Sequence, residues 1–304
     1  MHDQVRAKKS LNFFKQAYYR MKTALARRPY LLLLLPTLAV LAIFFVTPLV
    51  SLFISSLRLY VPGKGISDTL TLQNYVKFLT DVYYVGVLLK TLLLGVTVTL
   101  ATLVVGYPLA YFIARTQSPR KGFYIALVIF PLFLNIVVRS FSWIVLLANR
   151  GLLNNFLIDF HIIEKPIKLL FTYNGVLIGL THIFLPFMVL ALAGVIKNIN
   201  PDYEEAARTL GAGKVKTFIK ITLPLSLPGI IAGSLLVFLL TITAFVTPRL
   251  LGGVKVKIMS NLIFQEFMNT FNWPFGAAMA FILLLVTLII ISGYLKVFRK
   301  GQLT

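Results

Sequence analysis

Residues 205–224 read EAARTLGAGKVKTFIKITLP, a charged, helix-forming stretch set between two long apolar runs. Charge is scarce in this chain: 58% of its 304 residues are hydrophobic and only 13% are charged. A soluble domain of this length carries roughly twice that charged fraction, so lipid is its solvent. A membrane protein has little reason to keep such a loop unless something outside the bilayer grips it. Just upstream, Asn200-Pro201-Asp202 supplies a helix start: a cap residue, Pro at the first helical position and acid in the first turn. Asp202, Glu204 and Glu205 then lie near the positive end of the helix dipole. Ala206 and Ala207 leave a small-residue face for close packing, and Gly211 and Gly213 break the helix. Lys214, Lys216 and Lys220 follow in a second basic helical stretch, which Pro224 and Pro228 interrupt. The expected form is helix, Gly turn, helix, shaped to dock into a groove.

Working outward, six apolar runs are long enough to cross a hydrocarbon core, which takes about 20 helical residues. They are placed at 30–57, 91–114, 122–147, 174–196, 229–247 and 275–297, with Lys90 snorkelling at the lip of the second. Basic residues set the orientation. With both termini in the cytosol, nineteen Lys and Arg fall on that side and nine on the other. The 197–228 loop is then cytosolic. Residues 1–29 form a basic segment in which Phe14, Ala17, Tyr18, Met21 and Leu25 recur at helical spacing. An interfacial amphipathic helix and an unstructured basic anchor explain it equally well. The first run is too long for a cleaved signal peptide, and no small-residue cleavage site follows it.

The net charge of +21 is of the kind that in a soluble protein suggests nucleic acid. Here the cations flank apolar runs and meet anionic headgroups instead, so no nucleic-acid partner is expected. There is no cysteine, and the three histidines (His2, His161, His182) have no metal-ligand spacing. No GxxxxGK[ST] phosphate loop occurs, so no ATP or magnesium site is expected in this chain. No catalytic pair is visible.

Within the spans, Arg139 lies deep in an apolar run, where a central Arg costs roughly 2.5–3.5 kcal/mol. Asn135 one turn before it, and Ser142 and Trp143 one turn beyond, extend a polar stripe that should face the bundle or a water-filled path. Lining the path and holding helices in register remain equal readings. Gly229 and Gly233 open the fifth span at a spacing that permits close helix approach, and Ser234, Thr241, Thr243 and Thr247 offer hydroxyls along it. Trp273 and Pro274 anchor the start of the sixth. Pro36, Pro48, Pro108, Pro131 and Pro186 mark kinks or ordinary helix distortion.

Glu205-Ala206-Ala207, Gly211, Ile221, Leu223 and Pro224 fit EAA-x3-G-x9-I-x-L-P at every defined position. The chain thereby resembles the transmembrane subunits of binding-protein-dependent ABC importers. The resemblance implies an all-α membrane protein with six transmembrane helices, the type I ABC importer permease fold. It would be multi-pass in a bacterial inner membrane, with its core at about 87–297. It further implies a second permease subunit, two ATPase subunits and an extracytoplasmic solute-binding protein. The 197–228 segment would be the coupling loop, its contacts carried by Tyr203, Glu204, Glu205, Ala206, Ala207 and Gly211. Translocation-path candidates are Asn135, Arg139, Trp143, Thr241 and Thr243. Two stretches, VVRSFSWIVLLANRGLLN (137–154) and FVTPRLLGG (245–253), are similar to the polyamine branch, the spermidine/putrescine permeases. Phosphonate, ferric iron and thiamine permeases share parts of them. The spans contain no Asp or Glu, so an anionic or neutral solute stays open. An ion-coupled secondary transporter is the remote rival, weakened because His182 is the one proton-labile group in the spans.

Overall fold

A computed structural model describes residues 30–301. The basic segment 1–29, with its expected amphipathic helix, lies outside the described residues. The chain divides into two units after Ser56. In the first, α1 (Tyr30–Leu41), one π-helical turn (Ala42–Val46) and α2 (Thr47–Ser56) run on from one another. The 21 residues Pro36–Ser56 are long and apolar enough to cross a membrane.

The second unit opens with an antiparallel hairpin, β1 (Arg58–Val61) and β2 (Gly65–Leu70), turned by Gly63 and Gly65 at positive φ. Next come α3 (Gln73–Thr80) and the 34-residue α4 (Val82–Arg115). The Asp81 carboxylate caps α4 by accepting the Tyr83 N–H at 2.9 Å. The helix therefore starts nine residues before the expected span, and Lys90 sits within it rather than at its lip. Then follow α5 (Lys121–Ile129), a 3₁₀ turn (Phe130–Phe133), α6 (Ile136–Leu147), α7 (Leu152–Asp159) and α8 (Tyr173–Lys197). The loop elements are α9 (Asp202–Thr209), α10 (Lys214–Thr217), a π-helical turn (Phe218–Thr222) and α11 (Leu223–Leu225). Last are α12 (Leu227–Thr243), α13 (Val246–Gly252), α14 (Met259–Met268) and α15 (Trp273–Gly301).

Helices α4, α8 and α12 form the core, burying Leu94, Val98, Leu180, Ile183, Met188, Leu192 and Val237. Glycine lets these helices approach. A Cβ on Gly95 of α4 would lie 2.7 Å from the Phe238 ring of α12. One on Gly233 of α12 would lie 2.7 Å from the Met188 sulfur of α8. A second cluster of Phe78, Val87, Leu88, Met259, Leu262, Phe275 and Met279 joins α3, the start of α4, α14 and α15. At its edge the Thr91 hydroxyl oxygen accepts the Met259 N–H at 2.9 Å, so the buried amide is satisfied.

Five helices among the described residues are long and apolar enough to span a bilayer, six if a bent pair counts as one span. Two expectations are corrected. The run at 122–147 is not one helix: the chain leaves helical geometry at Leu134–Asn135 and restarts at Ile136. Pro131 brings the change to a 3₁₀ turn, and the Asn135 side chain accepts the Val137 N–H at 2.8 Å, starting a new helix. The fifth span does not simply begin at Gly229. Residues Lys214–Leu225 and Leu227–Thr243 are helical on either side of Ser226 and bend there by 65°. Pro108 and Pro186, by contrast, sit within continuous helices.

Candidate functional site

The loop between α8 and α12 is built from local caps. Asn200 accepts the Asp202 N–H at 3.1 Å and donates its amide to the Asp202 carboxylate at 3.0 Å. Helix α9 carries Asp202, Glu204 and Glu205 in its first turn and Arg208 in its last, in line with its dipole. Gly211 ends it at φ +83°. The Gly211 N–H donates to the Arg208 carbonyl and that of Ala212 to the Ala207 carbonyl. Nothing lies within 4 Å of a Cβ placed on Gly211, so the left-handed backbone, not crowding, requires glycine there.

One face of α9 is bolted to the bundle. Glu204, only 7% exposed, receives the Arg115 guanidinium at 2.8 Å, the Thr222 hydroxyl at 2.9 Å and the Tyr111 hydroxyl at 3.3 Å. Arg115 also donates to the Ile199 carbonyl at 2.9 Å. One carboxylate thus ties the end of α4, the start of the loop and the π-helical turn before α12. Burial pushes the Glu204 carboxyl up, but the Thr222 hydroxyl, the Arg115 guanidinium and the Tyr111 hydroxyl outweigh it and hold it below the usual carboxylate range. Beside the knot, Phe218 packs edge-on against Tyr107 and Tyr111. The Tyr107 hydroxyl meets that of Ser226 at 2.7 Å, at the bend leading into α12.

This divides the expected docking set. Positions 204 and 207 are three apart and share a helix face. Both are buried, Glu204 in the knot and Ala207 beneath it. Ala206 and Ala207 therefore do not make one small-residue surface. Tyr203, Glu205, Ala206, Arg208, Leu210 and Gly211 are exposed, Leu210 by 88%. Sequence reasoning missed Arg115, Tyr111 and Thr222. Arg115 is 89 residues from Glu204, and nothing local to either announces the pair.

The span candidates are less united. Asn135, Arg139 and Trp143 follow one another a turn apart from the cap of α6 to its middle; Thr241 and Thr243 lie on α12, with no hydrogen bond between the groups among the described residues. Asn135 is spent as a cap. Thr241 and Thr243 turn their hydroxyls back to the carbonyls of Val237 and Leu239, both at 2.8 Å. Beside Arg139 on α6, Ser140 faces the bundle, fully buried and 3.0 Å from the Thr247 hydroxyl. Arg139 is half-buried, with no hydrogen-bond partner for Nε or Nη1. Trp143 donates its indole N–H to Nδ1 of His182 at 3.2 Å. At the end of the molecule away from the loop, a groove of about 770 Å³ lies between the first turns of α4, the start of α8 and residues 255–258. Lys90, Lys255 and Lys257 converge on it beside Tyr83 and Tyr173.

The sequence profile of the binding-protein-dependent transport system inner membrane components matches residues 103–300. The spermidine/putrescine transport system permease protein PotB of Escherichia coli K12 is 41% identical over 223 residues, 73% of this chain and 79% of that one. PotB of Haemophilus influenzae is 36% identical over 227 residues, 75% of this chain and 79% of its own length. A bacterial alginate ABC transporter, crystallised in complex with alginate pentasaccharide-bound periplasmic protein, has a chain that superposes with TM-score 0.74. That chain is 19% identical, and the match covers 90% of this chain and 94% of it. The likeness is one of fold.

Proposed function

Because this chain belongs to the family of binding-protein-dependent transport system inner membrane components, we propose that a cytosolic ATPase moves it through the 197–228 loop. The chain is a multi-pass permease subunit of the inner membrane, not an enzyme. On our reading both termini are cytosolic, residues 1–29 form a basic cytosolic segment and 30–304 one permease domain. Two ATPase subunits, a second permease and an extracytoplasmic binding protein complete the importer.

The observation that carries this reading is the two-sidedness of α9: Glu204 knotted to α4 and Thr222, Tyr203, Glu205, Ala206 and Leu210 free. A force on the free face passes through the knot into α4 and α12 without loss in a slack loop. Closure of the ATPases need only favour one of two packings that differ by a few kcal/mol. Glu205→Lys and Gly211→Pro should each abolish uptake while ATPase turnover continues and the complex stays assembled. Normal uptake by both variants would remove the loop from the mechanism.

The solute is a polyamine on this reading, supported by the two PotB relatives. The carboxylates a polycation needs are then supplied by partner chains. One observation favours a second reading, an anionic solute: the three lysines of the outer groove meet no acid among the described residues. Labelled putrescine uptake into proteoliposomes of the assembled importer should be competed by excess spermidine and not by sulfate. The reverse pattern would transfer the assignment to the anion.

A further inference from the structure

We propose that a crevice between the loop-side ends of α4, α5 and α8 holds an anionic phospholipid of the leaflet on that side. Its phosphate sits at Lys121 and Lys197, and an acyl chain follows the helices into the bilayer. The crevice encloses about 230 Å³. Its floor and its charge are carried by different residues. Ile125 and Val128 follow Lys121 on α5 by four and seven positions, and Gly194 and Leu190 precede Lys197 on α8 by three and seven. Each set shares one helix face. Both run from a lysine at the rim to an aliphatic side chain about 10 Å deeper. Apart from the two lysines, every residue lining the crevice is aliphatic or glycine. A Cβ on Gly194 would meet nothing within 4 Å, so the floor is open there.

The charge lies at the rim. The Lys121 ammonium donates to the carbonyls of Ala114 at 3.1 Å and Thr116 at 3.3 Å. These bonds fix the ammonium but leave its charge unopposed, with one of its three N–H groups unspent. Lys197 is exposed in the last turn of α8. Neither lysine joins an ion pair among the described residues, where the pairs are Arg58–Asp68 and Arg115–Glu204. Basic pockets between membrane helices are suited to anionic headgroups.

The ligand that fits has an anion at one end and hydrocarbon at the other. A free phosphate would leave the floor empty, and a zwitterionic headgroup would bring its own cation to the lysines. A protein loop carrying an acid would strand its backbone polar groups on the aliphatic floor. At about 230 Å³ the crevice takes part of one acyl chain and has no room for a helix about 10 Å across. The site also lies beside the Glu204 knot, because the carbonyls that hold Lys121 belong to the residues on either side of Arg115. The inference needs only that the chain spans a bilayer, and is independent of the solute and of the motor.

The test uses the assembled importer in phosphatidylcholine nanodiscs doped with phosphatidylglycerol that carries a diazirine on its acyl chain. Illumination should label peptides within 113–128 and 189–197 above the level of the other spans. Unlabelled phosphatidylglycerol should compete, whereas added phosphatidylcholine and excess inorganic phosphate should not. Equal competition by phosphatidylcholine would leave an apolar slot without headgroup recognition. Competition by inorganic phosphate would leave an anion site without lipid, and absence of label from both segments would mean that another chain covers them. Each of these overturns the proposal. Lys197→Ala should lower the labelling about fivefold, the worth of one lysine near an anionic surface, and Lys197→Arg should retain it. Gly194→Leu, which fills the floor and leaves the charge unchanged, should lower it too. Undiminished labelling in Lys197→Ala would also overturn the assignment.

Discussion

At the scale of the residue, neighbouring glutamates have opposite duties. Glu204 closes a buried knot with Arg115, Thr222 and Tyr111, whereas Glu205 stands in solvent one position on. Removing one member of a buried ion pair strands the other, at a cost of about 3–5 kcal/mol in full burial. The Arg115 side chain is 18% exposed, so Glu204→Gln should cost about 2–3 kcal/mol, read as a lower melting temperature of the purified complex. Glu205→Lys should leave that temperature unchanged. The knot also sets a pH dependence. Its carboxyl is held below the range of an unfolded glutamate, about 4.3. Its contribution is therefore complete above that value and disappears as pH falls through the lower folded one. Hydrogen-exchange protection across 199–222 should hold from pH 7 to pH 5 and fall once the pH drops below the unfolded glutamate value. Protection already lost near pH 5 would mean that the pair does not form. The sequence announces Glu205, through EAA-x3-G, and is silent on Glu204's partners. The charge of Glu204 is visible in the chain, but its direction depends on helix phase and on a residue in another span.

At the scale of the element, apolar length gave the crossings and local chemistry gave their interruptions. Helices α8 and α15 lie where the hydropathy placed spans four and six. The break at Leu134–Asn135 had its signals in view, Pro131 and a cap-forming Asn. They were outweighed because a hydropathy window averages over them. The hydroxyls of Thr241 and Thr243 could be assigned to no partner from spacing alone; in the fold each returns to its own helix. Helix contacts follow the glycines. Gly95→Ala would force the Phe238 ring and Ile242 aside, because its Cβ would come within 2.7 Å and 2.9 Å of them. Such overpacking costs about 1–3 kcal/mol. Gly194→Ala in α8 meets nothing within 4 Å and should be neutral or slightly stabilising, since alanine is the better helix former. Thermal unfolding of the two variants in one detergent checks the contrast. Equal midpoints would show that α4 and α12 are not in close contact at Gly95.

At the scale of the whole molecule, single cysteines test the proposed cytosolic position of the loop. Thr209→Cys in the loop should react with an impermeant maleimide only in inside-out vesicles, and Lys64→Cys in the hairpin turn only in right-side-out ones. Labelling of both from one side would end the topology. Composition made the lipid environment legible and EAA-x3-G marked the loop, whereas the long-range partners of Glu204 on α4 and before α12 carry no local pattern. The helices on either side of Ser226 meet at 65°, and the Tyr107 hydroxyl pins the junction. In a straight rod, a shove from below would drive span five up like a piston and drag its polar ends into oil. An elbow with a fixed fulcrum works as a bell crank instead. Sideways travel of the loop becomes a swivel of the span, and each end stays at its own depth.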